Sequence, residues 1–222
     1  AIAAPLYVAI GLFVSKSKSR GIATVPTWAL YSAGYALTAI GAMVAFENET
    51  VATYILILNA VVYGVSAYIF QQSFWLYLST VLTPIIALLI LHQTDRFEST
   101  WVAWIFIGLA YLYLAIGQLF DRSLASRSTN HETYNPEAER SGHDIHPFAA
   151  PFYAPGFLLS AIALAVASSD RTLAIQIYSA GVMLYALSAW IFRETLFIYP
   201  AAWLAAVPYY LAITLTSLEV RW

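Results

Sequence analysis

Long apolar runs, separated by short clusters of charge, constrain this chain more than any other feature. A helix needs about 20 mostly apolar residues to cross the hydrocarbon core of a bilayer. Runs of that kind recur along the whole sequence, although the first is short. The pattern predicts an all-α, polytopic transmembrane protein of about eight spans. The predicted spans lie near residues 1–15, 27–46, 51–70, 74–92, 101–120, 148–168, 172–192 and 196–216.

Composition favours lipid as the surroundings of these runs. Of the 222 residues, 61% are hydrophobic and 10% are charged, whereas soluble domains carry about 25% charged residues. A soluble chain this apolar would expose large hydrophobic patches. The net charge of −2 gives no basic footprint, so nucleic acid is not an expected partner. The absence of cysteine excludes disulfides and thiolate metal sites.

The distribution of Lys and Arg between the runs predicts an orientation. Basic residues concentrate in the links after the first, third, fifth and seventh runs, and the positive-inside rule places that side in the cytoplasm. The 121–147 loop is therefore expected to be cytoplasmic, with a bacterial cytoplasmic membrane as the expected location. The seven basic residues on this side are Lys16, Lys18, Arg20, Arg122, Arg127, Arg140 and Arg193, against three on the other.

An internal repeat underlies the eight spans. Residues 31–77 align without a gap with 153–199 at a shift of 122, and 16 of 47 positions are identical. Chance would give roughly a tenth in a composition this biased. The first and fifth spans match as LYVAIG and LYLAIG at a shift of 106. The second copy therefore carries 16 extra residues, which fall in the 121–147 loop.

The repeat predicts two four-helix units, at 1–100 and 101–222. Because four is an even number of crossings, both units should have the same orientation in the membrane, unlike inverted transporter repeats. The first unit is expected to be incomplete at its N-terminus. Glu219 and Trp222 repeat the spacing of Glu98 and Trp101, so we expect the chain to be a segment of a longer repeat protein.

The repeat preserves one face of the third and seventh spans. The spacing i, i+3, i+4, i+7 puts the preserved residues on a single helical face. A preserved glycine in the second and sixth spans would let helix backbones approach closely. The favoured interpretation is a helix-packing face, and a ligand groove along it is the alternative. These residues are Tyr63, Ser66, Ala67 and Phe70, then Tyr185, Ser188, Ala189 and Phe192, with Gly34 and Gly156.

Two prolines fall inside predicted spans. Pro84 lies in the fourth span and Pro208 in the eighth. Each removes a backbone donor and predicts a kink. Paired broken helices can mark a transport site, but proline is also ordinary in transmembrane helices, and the second interpretation is favoured.

Ionisable residues offer little chemistry. No Asp, Glu, Lys or Arg lies centrally in a predicted span, which argues against a proton pump or a carrier of charged substrates. His92 ends the fourth span, where stabilising a helix C-terminus is favoured over metal or haem ligation. His143, Asp144 and His146 have a ligand-like spacing, but a solvated, partly disordered loop or a contact surface for a partner is the favoured interpretation. No cofactor or metal is expected.

These observations favour a non-catalytic integral membrane scaffold, or an accessory subunit of a larger membrane complex. Its expected partners are the lipid bilayer and other membrane subunits, with a contact through the 121–147 loop. The alternatives are a permease for a neutral or lipid-like substrate, or a membrane sensor that signals through that loop. A permease should show a cavity lined by Asn59, Tyr63, Gln176 and Tyr185. No enzyme is expected, because no paired acid, base or nucleophile falls at membrane depth.

Overall fold

The computed structural model describes residues 47–128 and 147–215, with Ala36 alone before them. Within these ranges the chain forms α-helices and one short 3-10 turn, without strands, so the all-α prediction is confirmed there. The helices are α1 Glu49–Phe70, α2 Phe74–Gln93, α3 Ser99–Ser128, α4 Ala150–Ala167, α5 Arg171–Phe192 and α6 Ile198–Leu215, and the 3-10 turn Thr195–Phe197 precedes α6.

Five of these segments are long and apolar enough to cross a membrane. They are α1, α2, α4, α5 and the Ser99–Ser123 part of α3. A shorter apolar helical segment covers Thr195–Leu211. The helices agree with the spans predicted between residues 51 and 192. Apart from Ala36, the first two predicted spans lie outside the described residues, as do Gly34, His143, Asp144, His146, Glu219 and Trp222.

Helix α3 is longer than the span predicted near residues 101–120. The helix continues to Ser128, because backbone hydrogen bonding does not require an apolar side chain at each position. Asp121 and Arg122 are therefore helical residues and not loop residues. The side chain of Asp121 is only 6% exposed. What was predicted as the 121–147 loop can begin no earlier than residue 129.

The chain divides into two compact units, Ala1–Gln71 and Gln72–Trp222. Helix α1 is the described part of the first unit. One face of α1 is buried, and small or polar residues dominate it, which suits close approach of a neighbouring helix. The buried residues are Ala52, Thr53, Leu56, Asn59, Ser66 and Ala67.

Helix α1 has well-formed ends. The side chain of Asn48 accepts hydrogen bonds from the backbone N–H groups of Thr50 and Val51, at 3.1 and 3.3 Å. Such a cap satisfies donors that the first helical turn leaves free. Glu49 adds a negative charge in the first turn, where the helix dipole favours it. The helix stops at Gln71, whose φ of 54° and ψ of 37° are left-handed.

Helix α5 in the second unit has the same length and the same kinds of ends. Asp170 caps it by accepting from the N–H of Leu173 at 2.9 Å. Arg193 ends it with φ 54° and ψ 27°. Both α1 and α5 contain 22 residues, and each boundary of α5 lies 122 positions after the matching boundary of α1.

The second unit is organised around α3 and α4, which pack along each other more extensively than any other pair. Helix α2 packs against both, α5 lies against both on its own side, and α6 packs on α5. The buried core includes Ile107 and Ala110 from α3, Ala163 from α4, and Ile177 and Leu184 from α5. Interior packing of this kind fixes helix positions even where no hydrophobic effect operates between apolar helices and lipid.

Two tyrosines of α3 tie the neighbouring helices to it. The hydroxyl of Tyr113 donates to the carbonyl oxygen of Thr80 in α2 at 2.7 Å. The hydroxyl of Tyr111 donates to the carbonyl oxygen of Ala180 in α5 at 2.7 Å. A phenolic O–H in an apolar interior must find an acceptor, and here each one finds it on the backbone of another helix.

Candidate functional site: a polar cluster and a membrane-facing groove

A buried polar cluster joins the end of α3 to the start of α4. The hydroxyl of Tyr153 donates to Oδ2 of Asp121 at 2.8 Å. Nε2 of Gln118 donates to the same hydroxyl oxygen at 3.0 Å. The phenol therefore uses both its donor and its acceptor capacity. A buried carboxyl group is costly without such partners, so the cluster makes the position of Asp121 at the helix contact tolerable.

Local sequence explains how the cluster forms. Gln118 and Asp121 are three residues apart on α3, which places them on one face. Tyr153 lies in the first turn of α4, beyond Pro151. Its ring rests on Gly117, where a Cβ atom would come within 2.8 Å of Cδ1 of Tyr153. The missing side chain of Gly117 is what allows the ring to reach Asp121.

Aromatic rings surround the cluster on the side of α5. The ring of Tyr153 meets that of Phe192 edge to face, with centroids 4.8 Å apart and planes at 83°. Phe192 in turn stacks with Phe197 at 5.3 Å. Each aromatic contact of this type contributes about 0.5–1.5 kcal/mol beyond area burial. The cluster is thus held in place by packing as well as by hydrogen bonds.

An open groove runs between α3 and α5 beside the cluster. It has a volume of about 670 Å³, within the range of ligand sites in proteins, roughly 300–1,000 Å³. Its walls are mostly aliphatic or aromatic, and Gln118 and Arg122 lie near the end of α3. Gln118 belongs to both the groove and the polar cluster. The groove is lined by Tyr111, Leu112, Leu114, Ala115, Gln118, Leu119, Arg122, Leu187, Trp190 and Ile191.

The predicted face of the seventh span lies against α4. Tyr185 Oη and Ser160 Oγ form a hydrogen bond of 3.1 Å, and the Tyr185 ring stacks with Phe157 at 5.8 Å. Ser188 is fully buried and donates to the carbonyl oxygen of Leu184 at 2.8 Å. Phe192 is buried too, whereas Ala189 is only partly covered.

The predicted glycine of α4 lies at the contact with α3. A Cβ atom on Gly156 would come within 3.2 Å of the Cβ of Tyr113 and 3.4 Å of the carbonyl oxygen of Ala110. The absence of a side chain therefore lets the two helix backbones approach closely. Its predicted counterpart, Gly34, is among the residues that the structure leaves undescribed.

The corresponding face of α1 belongs to the first unit. Ser66 and Ala67 are each 1% exposed, and Tyr63 and Phe70 are partly covered. Ser66 donates to the carbonyl oxygen of Val62 at 2.7 Å. Its intrahelical bond matches that of Ser188 in α5.

The remaining candidates differ in exposure. Asn59 is buried in α1, whereas Gln176 of α5 is exposed. His92 is exposed at the end of α2, and its ring meets Phe97 edge to face at 5.9 Å. Across the part of the chain that the structure describes, no three His, Asp or Glu side chains come together as a metal site.

Sequence reasoning missed the polar cluster and the groove. Asp121 was assigned to a loop because charge ended the apolar run, and Tyr153 was not linked to it. One signal was available: Gln118 and Asp121 share a face at the end of one span, and the next span has Tyr153 near its start. The groove had no sequence signal, because it depends on how far apart α3 and α5 lie.

Comparison with known proteins identifies no relative of this chain. No protein-family model matches it, and neither a curated protein nor a solved structure matches it.

Proposed function

We propose that this chain is an integral membrane protein that acts as a non-catalytic scaffold or accessory subunit of a larger membrane complex. One observation carries the proposal: the polar side chains of the second unit's core are used to hold helices together. The hydroxyls of Tyr111, Tyr113, Tyr153 and Tyr185 all form hydrogen bonds to other helices. Groups engaged in this way stabilise a fixed arrangement, as expected of a structural part.

A repeated architecture is part of this proposal. The matched lengths of α1 and α5, their side-chain N-caps and their left-handed ends support two parallel four-helix units. The intrahelical bonds of Ser66 and Ser188, at 2.7 and 2.8 Å, support the same relationship. A repeated unit suits a scaffold because each copy can offer the same surface to a neighbour.

Large aromatic side chains on the outside of α5 and α6 support contact with lipid or with other membrane subunits. Trp190 is 73% exposed, Tyr199 73% and Trp203 80%. Rings of this type belong at the membrane interface, and they are also enriched at protein contacts. The side of the molecule formed by α5 and α6 is therefore the surface where we expect a partner subunit.

Photo-crosslinking in native membranes tests the scaffold. A photoreactive amino acid at Trp203 should crosslink to another membrane protein, which mass spectrometry would identify. The matched control places the same amino acid at Trp104, a tryptophan of α3 that is 43% exposed. Crosslinking only to lipid at both positions would contradict the scaffold proposal.

The groove between α3 and α5 favours a second candidate, a carrier for a neutral or lipid-like substrate. Its apolar walls and its opening toward the surroundings suit a molecule that enters from lipid. The purified chain, reconstituted into vesicles, would then move a fluorescent lipid analogue between leaflets faster than empty vesicles do. A rate equal to that of empty vesicles would exclude the carrier and leave the scaffold standing.

A further inference from the structure

The groove lies at the depth of a single leaflet. From Trp101 to Arg122, α3 rises about 32 Å at 1.5 Å per residue, close to the thickness of the hydrocarbon core, about 30 Å. Trp101 therefore falls at one interface and Arg122 at the other. The groove extends along α3 from Tyr111 to Arg122, about 16 Å of helix. That length is half of the hydrocarbon core.

The two ends of the groove differ in chemistry. Toward the membrane centre the lining is largely apolar, with Leu112, Ala115, Leu187 and the ring of Tyr111. At the interface end stand Gln118 and Arg122. Such an arrangement complements an amphiphile whose polar group is at the interface and whose chain points inward.

The charge of Arg122 selects the sign of the polar group. Its side chain is exposed, and it forms no ion pair with any residue in the described part of the chain. The neighbouring carboxyl group of Asp121 is buried and bonded to Tyr153. A guanidinium offers a fork of donors that fits phosphate well, and the second N–H of Gln118 can donate beside it.

We propose that the groove between α3 and α5 is a binding site for an anionic phospholipid. Its phosphate contacts Arg122 and Gln118, and one acyl chain lies along Leu119, Leu187 and the ring of Trp190. Leu119 is 67% exposed and Trp190 73%, so the lipid enters sideways from its own leaflet. The inference depends on the membrane insertion in the proposed function, and it holds for a scaffold and for a carrier alike.

Native mass spectrometry of the full chain in detergent tests the site. The probes are phosphatidylglycerol, which is anionic, and phosphatidylcholine, which is zwitterionic, titrated separately. The wild-type protein should bind phosphatidylglycerol about fivefold more tightly, the effect expected of one basic residue near an anionic surface. Equal affinities for the two lipids would overturn the proposal without any variant.

Three substitutions locate the site. Arg122→Gln should remove the preference for phosphatidylglycerol, whereas Arg171→Gln, a matched loss of charge at the opposite end of α5, should keep it. Ala115→Trp fills the aliphatic part and should weaken binding of both lipids. The proposal fails if Arg122→Gln behaves like Arg171→Gln, or if Ala115→Trp binds lipid as the wild type does.

Membrane insertion is measured separately, by flotation of each variant with vesicles. A chain that does not float would contradict the proposed function as well as the lipid site. A chain that floats but shows no preference for the anionic lipid contradicts the lipid site alone.

Discussion

The hydroxyl of Tyr113 in α3 donates to the carbonyl oxygen of Thr80 in α2 at 2.7 Å. Thr80 lies four residues before Pro84, which is inside α2. In a regular helix that carbonyl accepts from the N–H four residues on, and proline has none. The tyrosine of a neighbouring helix thus supplies the hydrogen bond that the proline removes.

This relationship predicts that Tyr113 and Pro84 are energetically coupled. Tyr113→Phe should lower the free energy of unfolding by about 1–2 kcal/mol, because a buried carbonyl loses its donor. In a Pro84→Ala background the N–H of residue 84 can donate to the carbonyl oxygen of Thr80. Tyr113→Phe should then lower the free energy of unfolding by about 1 kcal/mol less than it does in the wild type. Unfolding in mixed micelles of the four proteins of the cycle measures the difference.

Tyr111 provides the control for that cycle. Its hydroxyl also donates to a carbonyl oxygen at 2.7 Å, but the acceptor is Ala180, and Leu184 four residues later keeps its own N–H. Tyr111→Phe should therefore cost the same in the presence and absence of Pro84. A coupling energy for Tyr111 as large as that for Tyr113 would contradict the explanation.

A second prediction concerns the two glycines of α3. Gly117→Ala should lower the free energy of unfolding by about 1–3 kcal/mol, because the new methyl group meets the Tyr153 ring and forces it away from Asp121. At Gly108 an added Cβ would meet no atom within 4 Å beyond its own helix backbone, so Gly108→Ala should be neutral or stabilising, by up to about 1 kcal/mol. Thermal unfolding in detergent compares the two, and equal effects would contradict the close contact.

The positions of the helices could be predicted from the sequence, whereas their ends and their contacts with one another could not. Apolar run length predicted the helices between residues 51 and 192, because the need for about 20 apolar residues acts on each segment separately. Apolar run length marked a span only as far as residue 120, whereas the helix continues through charged residues to Ser128. Pairing of α3 with α4 depends on Gly117 and Tyr153 meeting across 36 residues, and no local pattern encodes such a contact.

A third prediction tests the polar cluster. Tyr153→Phe removes the donor to Asp121 and the acceptor for Gln118, and should lower the free energy of unfolding by about 1–3 kcal/mol. The matched control is Tyr199→Phe, because that ring is 73% exposed on the outside of the same unit. Denaturation in mixed micelles should show a change for Tyr153 and almost none for Tyr199. Equal stabilities for the two variants would mean that the cluster contributes nothing measurable.

The cluster also shows which part of a site the sequence can reveal. Residues that share a helix, such as Gln118 and Asp121, can be grouped by spacing alone. Their partner Tyr153 could be chosen only after the antiparallel pairing of α3 and α4 was known. The groove is harder still to predict from the sequence, because its width depends on how α4 packs between α3 and α5.

A fourth prediction uses the matched ends of α1 and α5. Gln71 and Arg193 both have φ 54°, a conformation that costs a residue with a side chain about 1–2 kcal/mol relative to glycine. Gln71→Gly and Arg193→Gly should therefore each raise the free energy of unfolding, by about 1 kcal/mol and by similar amounts. Gln176→Gly, at an exposed position within α5, should instead lower the free energy of unfolding by up to about 1 kcal/mol. If one of the two substitutions, Gln71→Gly or Arg193→Gly, stabilised the protein and the other destabilised it, the C-terminal ends of α1 and α5 would not be structurally equivalent.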